Sequence, residues 1–220
     1  MRDIPGKVLI ITPHLGDAVF GCGELLAANP GAVVITAFAG IPADSYVVPE
    51  WDAACGFSSP RQAVTVRRRE DRHALELLDA EPCWLACPES QYRRKVTLDD
   101  TVLRLSRAMR RHRADIVALP LGLLPGDHAL TRDAALRLTR GRDCEWLVYD
   151  DSLPARAGGD AAQALARLST APFELPADPY RAYLKRRALE SYESLQRGFQ
   201  SAGRDLRSIL GSPERYWRLA

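Results

Sequence analysis

The chain of 220 residues contains no apolar run approaching the roughly 20 residues that a bilayer-spanning helix needs. Its first residues also lack the charged-then-apolar pattern of a secretory leader. Charge of one sign is missing too: 30 Lys and Arg stand against 28 Asp and Glu, a net +2. No overall field therefore selects nucleic acid or a membrane surface as partner. Cysteine is sparse and odd in number, five residues without regular spacing, which argues against a disulfide framework. Cys83 and Cys87 have no second pair, so a structural zinc knuckle is not expected either. Reduced thiols of a cytoplasmic protein are the expectation. Histidine numbers only four, so each one can be weighed individually.

What is present has the composition of a globular protein, 46% hydrophobic and 26% charged, with length enough for one substantial core. Lys7–Thr12 and Ala32–Ala39 are near-continuous β-branched and apolar runs, as expected of strands covered on both faces. Between them Ala18–Asn29 has helical composition and stops at Asn29-Pro30-Gly31. Further helices are expected at about 61–78, 98–112 and 129–139, with strands at Cys83–Ala86, Asp115–Leu119 and Glu145–Tyr149. Alternating strands and crossover-length helices predict a Rossmann-like α/β sandwich in three layers around a mainly parallel sheet. Gly40–Ser59 is aperiodic, and a loop that long is more often functional than idle. Past Tyr149 come a turn at Ala157–Asp160, a proline-rich stretch from Pro172 to Pro179 and a helix over Tyr180–Phe199. With no internal repeat, residues 1–220 read as one domain with a C-terminal helical extension from about 178.

The first strand runs into Thr12-Pro13-His14-Leu15-Gly16-Asp17, where Pro13 disfavours helix and Gly16 permits a sharp turn. His14 and Asp17 thus fall beyond the carboxyl end of a strand, where open α/β sheets bind ligands. The segment after Leu119 delivers His128 to the same edge. Two histidines and one carboxylate with a position left open are the ligands of many catalytic zinc sites. On spacing alone, a loop His beside an Asp is more often a turn or capping pair. His73 and His112 lie among charges on expected helices and read as surface residues, and the runs Arg67–Arg69 and Arg110-Arg111 as solvated helix faces.

The order of several blocks adds to this. The run Pro13-His14-Leu15-Gly16-Asp17, five residues, then Gly23 is similar to the opening P-H-P/L-D-D-x-x-x-x-x-G-G of the PIG-L (LmbE-like) zinc-dependent de-N-acetylases. Phe38–Pro42, Trp51–Phe57, Arg67 to Glu70 as R-x-x-E, Gln91-Tyr92, Asp127-His128 as the end of H-P-D-H, and Tyr149-Asp150 follow in the family's order. Lys185, Ala188, Tyr192 and Gln196 fit its C-terminal signature, so the likeness spans residues 7 to 200.

This resemblance implies an LmbE-like fold and His14, Asp17 and His128 as ligands of Zn2+ or another divalent metal. It implies Arg67 and Tyr92 as substrate-binding residues, with structural pairing of Arg67 to Glu70 as the other reading. The implied reaction removes an N-acetyl group from an amino sugar or glycoconjugate, a small-molecule partner; homo-oligomers stay compatible with the sequence. Two positions depart from the pattern. Gly16 stands where relatives carry the general-base aspartate, and the first histidine of H-P-D-H falls at Pro125. Base assistance is commonly worth about 10²- to 10⁴-fold in rate. Asp127 is then the candidate catalytic carboxylate, orienting His128 or acting as a substitute base, unless it simply N-caps the helix behind it. Gly16→Asp would be expected to return the lost base. A relative that keeps its metal and binds a sugar or a partner protein without turnover is the rival reading. Glu24, at the family's second glycine, is expected to face solvent.

Overall fold

The computed structural model describes residues 6–42, 47–92, 95–151, 161–203 and 213–220. The turn expected at Ala157–Asp160 lies outside them. Strands β1 (Val8–Thr12), β2 (Val33–Thr36), β3 (Glu81–Trp84), β4 (Ile116–Pro120) and β5 (Glu145–Tyr149) form a parallel set in the order β3-β2-β1-β4-β5. Helices α1 (Asp17–Ala28), α3 (Pro60–Leu77), α4 (Leu98–Arg111) and α5 (Asp127–Leu136) make the crossovers. A short helix, α2 (Glu50–Ala54), interrupts the stretch expected to be loop.

Alternate strand residues face opposite layers. Val8, Ile10, Val34, Ala118 and Leu147 pack with Val19, Leu25 and Leu26 of α1 and Leu75 of α3. Leu9, Ile11, Val33, Ile35, Val117 and Leu119 pack with Leu105 and Met109 of α4 and Ala134 and Ala135 of α5. With both faces covered, the middles of these strands are apolar, and polar residues (Thr12, Thr36 and Glu145) stand only at strand ends, which is why the strands read as near-continuous apolar runs.

The C-terminal part differs from the expected helical extension. After α6 (Ala161–Leu165), β6 (Thr170–Phe173) and β7 (Tyr216–Leu219) join the sheet, β7 antiparallel to both β5 and β6. The helix expected over 180–199 is two, α7 (Pro179–Glu190) and α8 (Glu193–Ser201). No helix among the described residues is long and apolar enough to cross a membrane.

Helix α1 is kinked at Cys22 (φ −139°, ψ 20°). The Glu214 carboxylate accepts the Glu24 and Leu25 backbone N–H groups just past the kink, so Glu24 serves through its main chain and is half-buried. The Lys185 side chain crosses Gly23, where a Cβ would lie 2.6 Å from Lys185 Cγ, and its Nζ ends 2.6 Å from Glu214 Oε1. Both side chains are nearly fully buried, at 7% and 4% exposure. Removing one partner of such a pair strands a buried charge. Glu214→Ala is therefore expected to lower unfolding free energy by about 3–5 kcal/mol, read as a lower urea midpoint with unchanged slope.

Candidate functional site

Strand order reverses at β1: the chain moves from β1 out to β2 and β3, then returns to place β4 on the other side. The loops after β1 and β4 therefore part at the carboxyl edge and leave a crevice. His14 lies in the first loop, Asp17 opens α1, and His128 is the second residue of α5. Their ligand atoms all fall within 4.8 Å of one another. Asp17 Oδ2 is 3.2 Å from His14 Nδ1 and 3.7 Å from His128 Nε2.

Each imidazole is held from behind by a carboxylate. His128 Nδ1 lies 2.6 Å from Asp151 Oδ2, and Asp151 Oδ1 accepts the Gly122 backbone N–H at 2.8 Å, tying the loop after β4 to the end of β5. With Nδ1–H donated to Asp151, the Nε2 lone pair is left for a ligand, and Nε2 is buried without a hydrogen-bond partner. His14 Nε2 lies 3.1 Å from Asp127 Oδ2, which leaves Nδ1 facing Asp17. The free lone pair of His128 Nε2, that which His14 Nδ1 offers once its proton has left, and one carboxylate oxygen, all within reach of a common point, suit a divalent metal such as zinc.

Asp127 thus backs His14, not His128 as expected, and it is not a helix cap. Gly126 (φ +77°) occupies the N-cap position, and Asp127 Oδ2 also accepts the Ser90 backbone N–H. Burial pushes the Asp127 acid up, but its bond to His14, the His14 charge and Ser90 outweigh this and hold it below the usual range. Burial alone would lower His14; the hydrogen bonds to Asp127 and Asp17 and the nearby negative charges instead raise it to about 10.

Gly16 has φ +96°, its N–H donates to buried Asp71 Oδ1 at 3.0 Å, and an added Cβ would meet Leu195 Cδ1 at 3.1 Å and Tyr192 Cε1 at 3.4 Å. A side chain is strained at such a φ. Gly16→Asp therefore carries a backbone cost and starts from a Cβ packed on Leu195 and Tyr192, which opposes the gain expected from returning the base. Asp71 also accepts from Trp84 Nε1 and Tyr192 Oη; burial outweighs these three donors and lifts its pKa to about 6.

The cleft beside the cluster is lined by Trp51, Arg67, Glu89, Gln91, Pro125 and Leu195 among others. Pro125, at the family's histidine position, offers no side-chain donor. Arg67 is buried and pairs with Asp52 at 2.6 Å, while Glu70 accepts from Ser194 at the start of α8; the Arg67–Glu70 pair does not form. Tyr92 Oη donates to Asp52 Oδ2 at 2.9 Å, which places it behind Arg67. His73 is exposed and His112 half-buried at the end of α4. The Asp52, Glu89 and Asp151 carboxylates had no role in the sequence reading. The one available signal was topological: Glu89 and Asp151 follow β3 and β5, which end on the same sheet edge.

Residues 9–139 match the family model described as PIG-L, GlcNAc-PI de-N-acetylase. The chain belongs to the PIG-L family. No curated protein gives a significant match to it. Among solved structures, this PIG-L protein is similar to teicoplanin deacetylase in its zinc-inhibited form, with TM-score 0.82, 22% identity and 97% and 98% of the two chains covered. It is similar also to the deacetylase of the A40926 pseudoaglycone (0.81, 24%, 97% and 96%). A 4-carboxy-2-hydroxymuconate hydratase from Pseudomonas putida aligns less well (0.56, 19%, 97% and 94%). At these identities the likeness establishes the fold.

Three outcomes are expected for the PIG-L site. Because the metal-free protein holds a proton on His14, metal uptake must displace it, and affinity should rise about tenfold per pH unit below that pKa. Chelator competition at pH 6.5 and 8.0 measures this, and a pH-independent Kd would contradict it. The His14 proton also stabilises the metal-free fold fully below its unfolded pKa of 6.5, a contribution lost as pH rises through about 10. Asp151→Asn should weaken zinc retention about 10- to 100-fold without unfolding the protein, because His128 then lacks its orienting carboxylate.

Proposed function

We propose that this protein is a metal-dependent hydrolase that removes an N-acetyl group from an amino sugar or glycoconjugate. One observation carries the reading. His128 Nε2 is buried and unpartnered beside His14 Nδ1 and Asp17, at the mouth of a cleft, in a chain of the PIG-L family. His14, Asp17 and His128 would hold the metal, with Asp127 and Asp151 as positioning residues for the two imidazoles. A divalent metal held there would supply a Lewis acid for the amide carbonyl and for the attacking water.

The protein's own groups then define the rest. Arg67 lines the cleft with its charge already shared between Asp52 and Glu89, which suits a neutral, hydroxyl-bearing ligand better than a phosphate. Tyr92 supports substrate binding at one remove, by fixing Asp52 behind Arg67. Trp51, Leu15 and Leu195 give the cleft apolar wall. A deacetylase of this fold from the teicoplanin biosynthesis pathway has been solved in complex with teicoplanin. The hydratase shows that the fold is also used for a different addition of water, so the reaction rests on the site and not on the fold.

Gly16 and Pro125 favour a second reading, a metal-retaining protein that binds such a ligand without turnover. Zinc-loaded protein is expected to release amine from at least one member of a panel of N-acetylated amino sugars and glycoconjugates. His128→Ala should abolish both the zinc and the amine. Metal that stays bound with no amine released from any substrate would decide for the binding protein.

A further inference from the structure

Three carboxylates line the cleft: Asp17, Glu89 and Asp127. Asp17 belongs to the ligand cluster. Asp127 Oδ2 is taken by His14 and by the Ser90 N–H. Glu89 is different. It ends the segment after β3 and begins the turn at Ser90–Tyr92, with its side chain 12% exposed. Its Oε2 accepts from Gln91 Nε2, while its Oε1 stands 3.7 Å from Arg67 Nη1, beyond hydrogen-bond length. Among the described residues no donor reaches Oε1. Glu89 therefore brings to the cleft a carboxylate oxygen with free lone pairs, held in place by Arg67 and Gln91.

We propose that Glu89 is the proton carrier of the hydrolysis, filling from the segment after β3 the role for which Gly16 has no side chain. The proposal rests on the hydrolase reading above. As the water oxygen bonds to the acyl carbon, one O–H bond breaks and its proton passes to Glu89. When the carbon–nitrogen bond breaks, that proton moves to the departing nitrogen, and the products are acetic acid and the amine, which ionise in water. Glu89 ends as it began. Burial raises the Glu89 acid above the ordinary carboxylate range, the direction that favours accepting a proton.

The test uses zinc-loaded protein and acetohydroxamic acid, which binds zinc as its anion and must lose a proton to do so. Calorimetry in buffers of different ionisation enthalpy counts the protons reaching solvent. With Glu89 as carrier, the wild type and Glu89→Asp keep the proton, and Glu89→Gln releases about one more per hydroxamate bound, as expected when the protein's base is removed. On any N-acetyl sugar that is turned over, Glu89→Gln should lose about 10²- to 10⁴-fold in kcat, with KM and zinc content close to wild type. Equal proton counts in all three proteins would overturn the proposal. So would a raised KM with unchanged kcat, which would make Glu89 a binding residue. A wild type that releases no amine defeats the hydrolase reading separately, because the proton count still decides whether Glu89 accepts the proton.

Discussion

Strands β1 and β4 are hydrogen-bonded neighbours, yet the helices that follow them lie on opposite faces of the sheet. Their loops must part at the carboxyl edge, and the gap between them is the one place where side chains from both halves of the sheet can converge without competing for core volume. His14 and Asp17 come from one side of it and His128 from the other. The supporting carboxylates obey the same geometry: Asp151 follows β5, and Glu89 follows β3 on the far side of β2. His14, Asp17, Glu89, His128 and Asp151 all follow the carboxyl ends of parallel strands.

The convergence sets the electrostatics. Among the described residues, Asp17, Asp52, Glu89, Asp127 and Asp151 are met by Arg67 and two imidazoles. Carboxylates at this density are tolerated only where positive charge answers them. In the metal-free state the answer is Arg67 and a proton on His14, and the proton occupies the place that a ligand metal would take over.

Legibility in the sequence followed from how much each feature depends on distant partners. Strands β1, β2, β4 and β5 were readable because burial on both faces leaves a near-continuous apolar signature. Strands β6 and β7 were not, since they are short, lie at the sheet's end, and include Pro172 and Arg218. The break between α7 and α8 was hidden for a related reason. Helical composition runs straight through it, and what ends the first helix and starts the second is tertiary: Tyr192 bonded to Asp71, and Glu70 accepting from Ser194. The cluster of His14, Asp17 and His128 was legible because strand ends and family spacing agreed. Which carboxylate backs which histidine was not, because that depends on the register of β4 against β5 and on the path of the segment holding Ser90. Asp127 passed for a helix cap because local sequence cannot reveal that Gly126 takes that position.

The last strand also constrains the order in which the molecule can be built. In the sheet β7 lies between β5 and β6, although it is the last of the three along the chain. A nascent chain that has exposed β6 but not residues 216–219 has no neighbour on which to hydrogen-bond it. The same unfinished chain lacks Glu214, so the backbone groups beyond the α1 kink and the Lys185 ammonium lack the carboxylate that binds them in the finished fold. The helix that carries Asp17 is therefore fully secured only when the final stretch arrives. Contacts that span nearly the whole chain form slowly, so the parallel half of the sheet must wait, with one end still open to solvent, for its last strand.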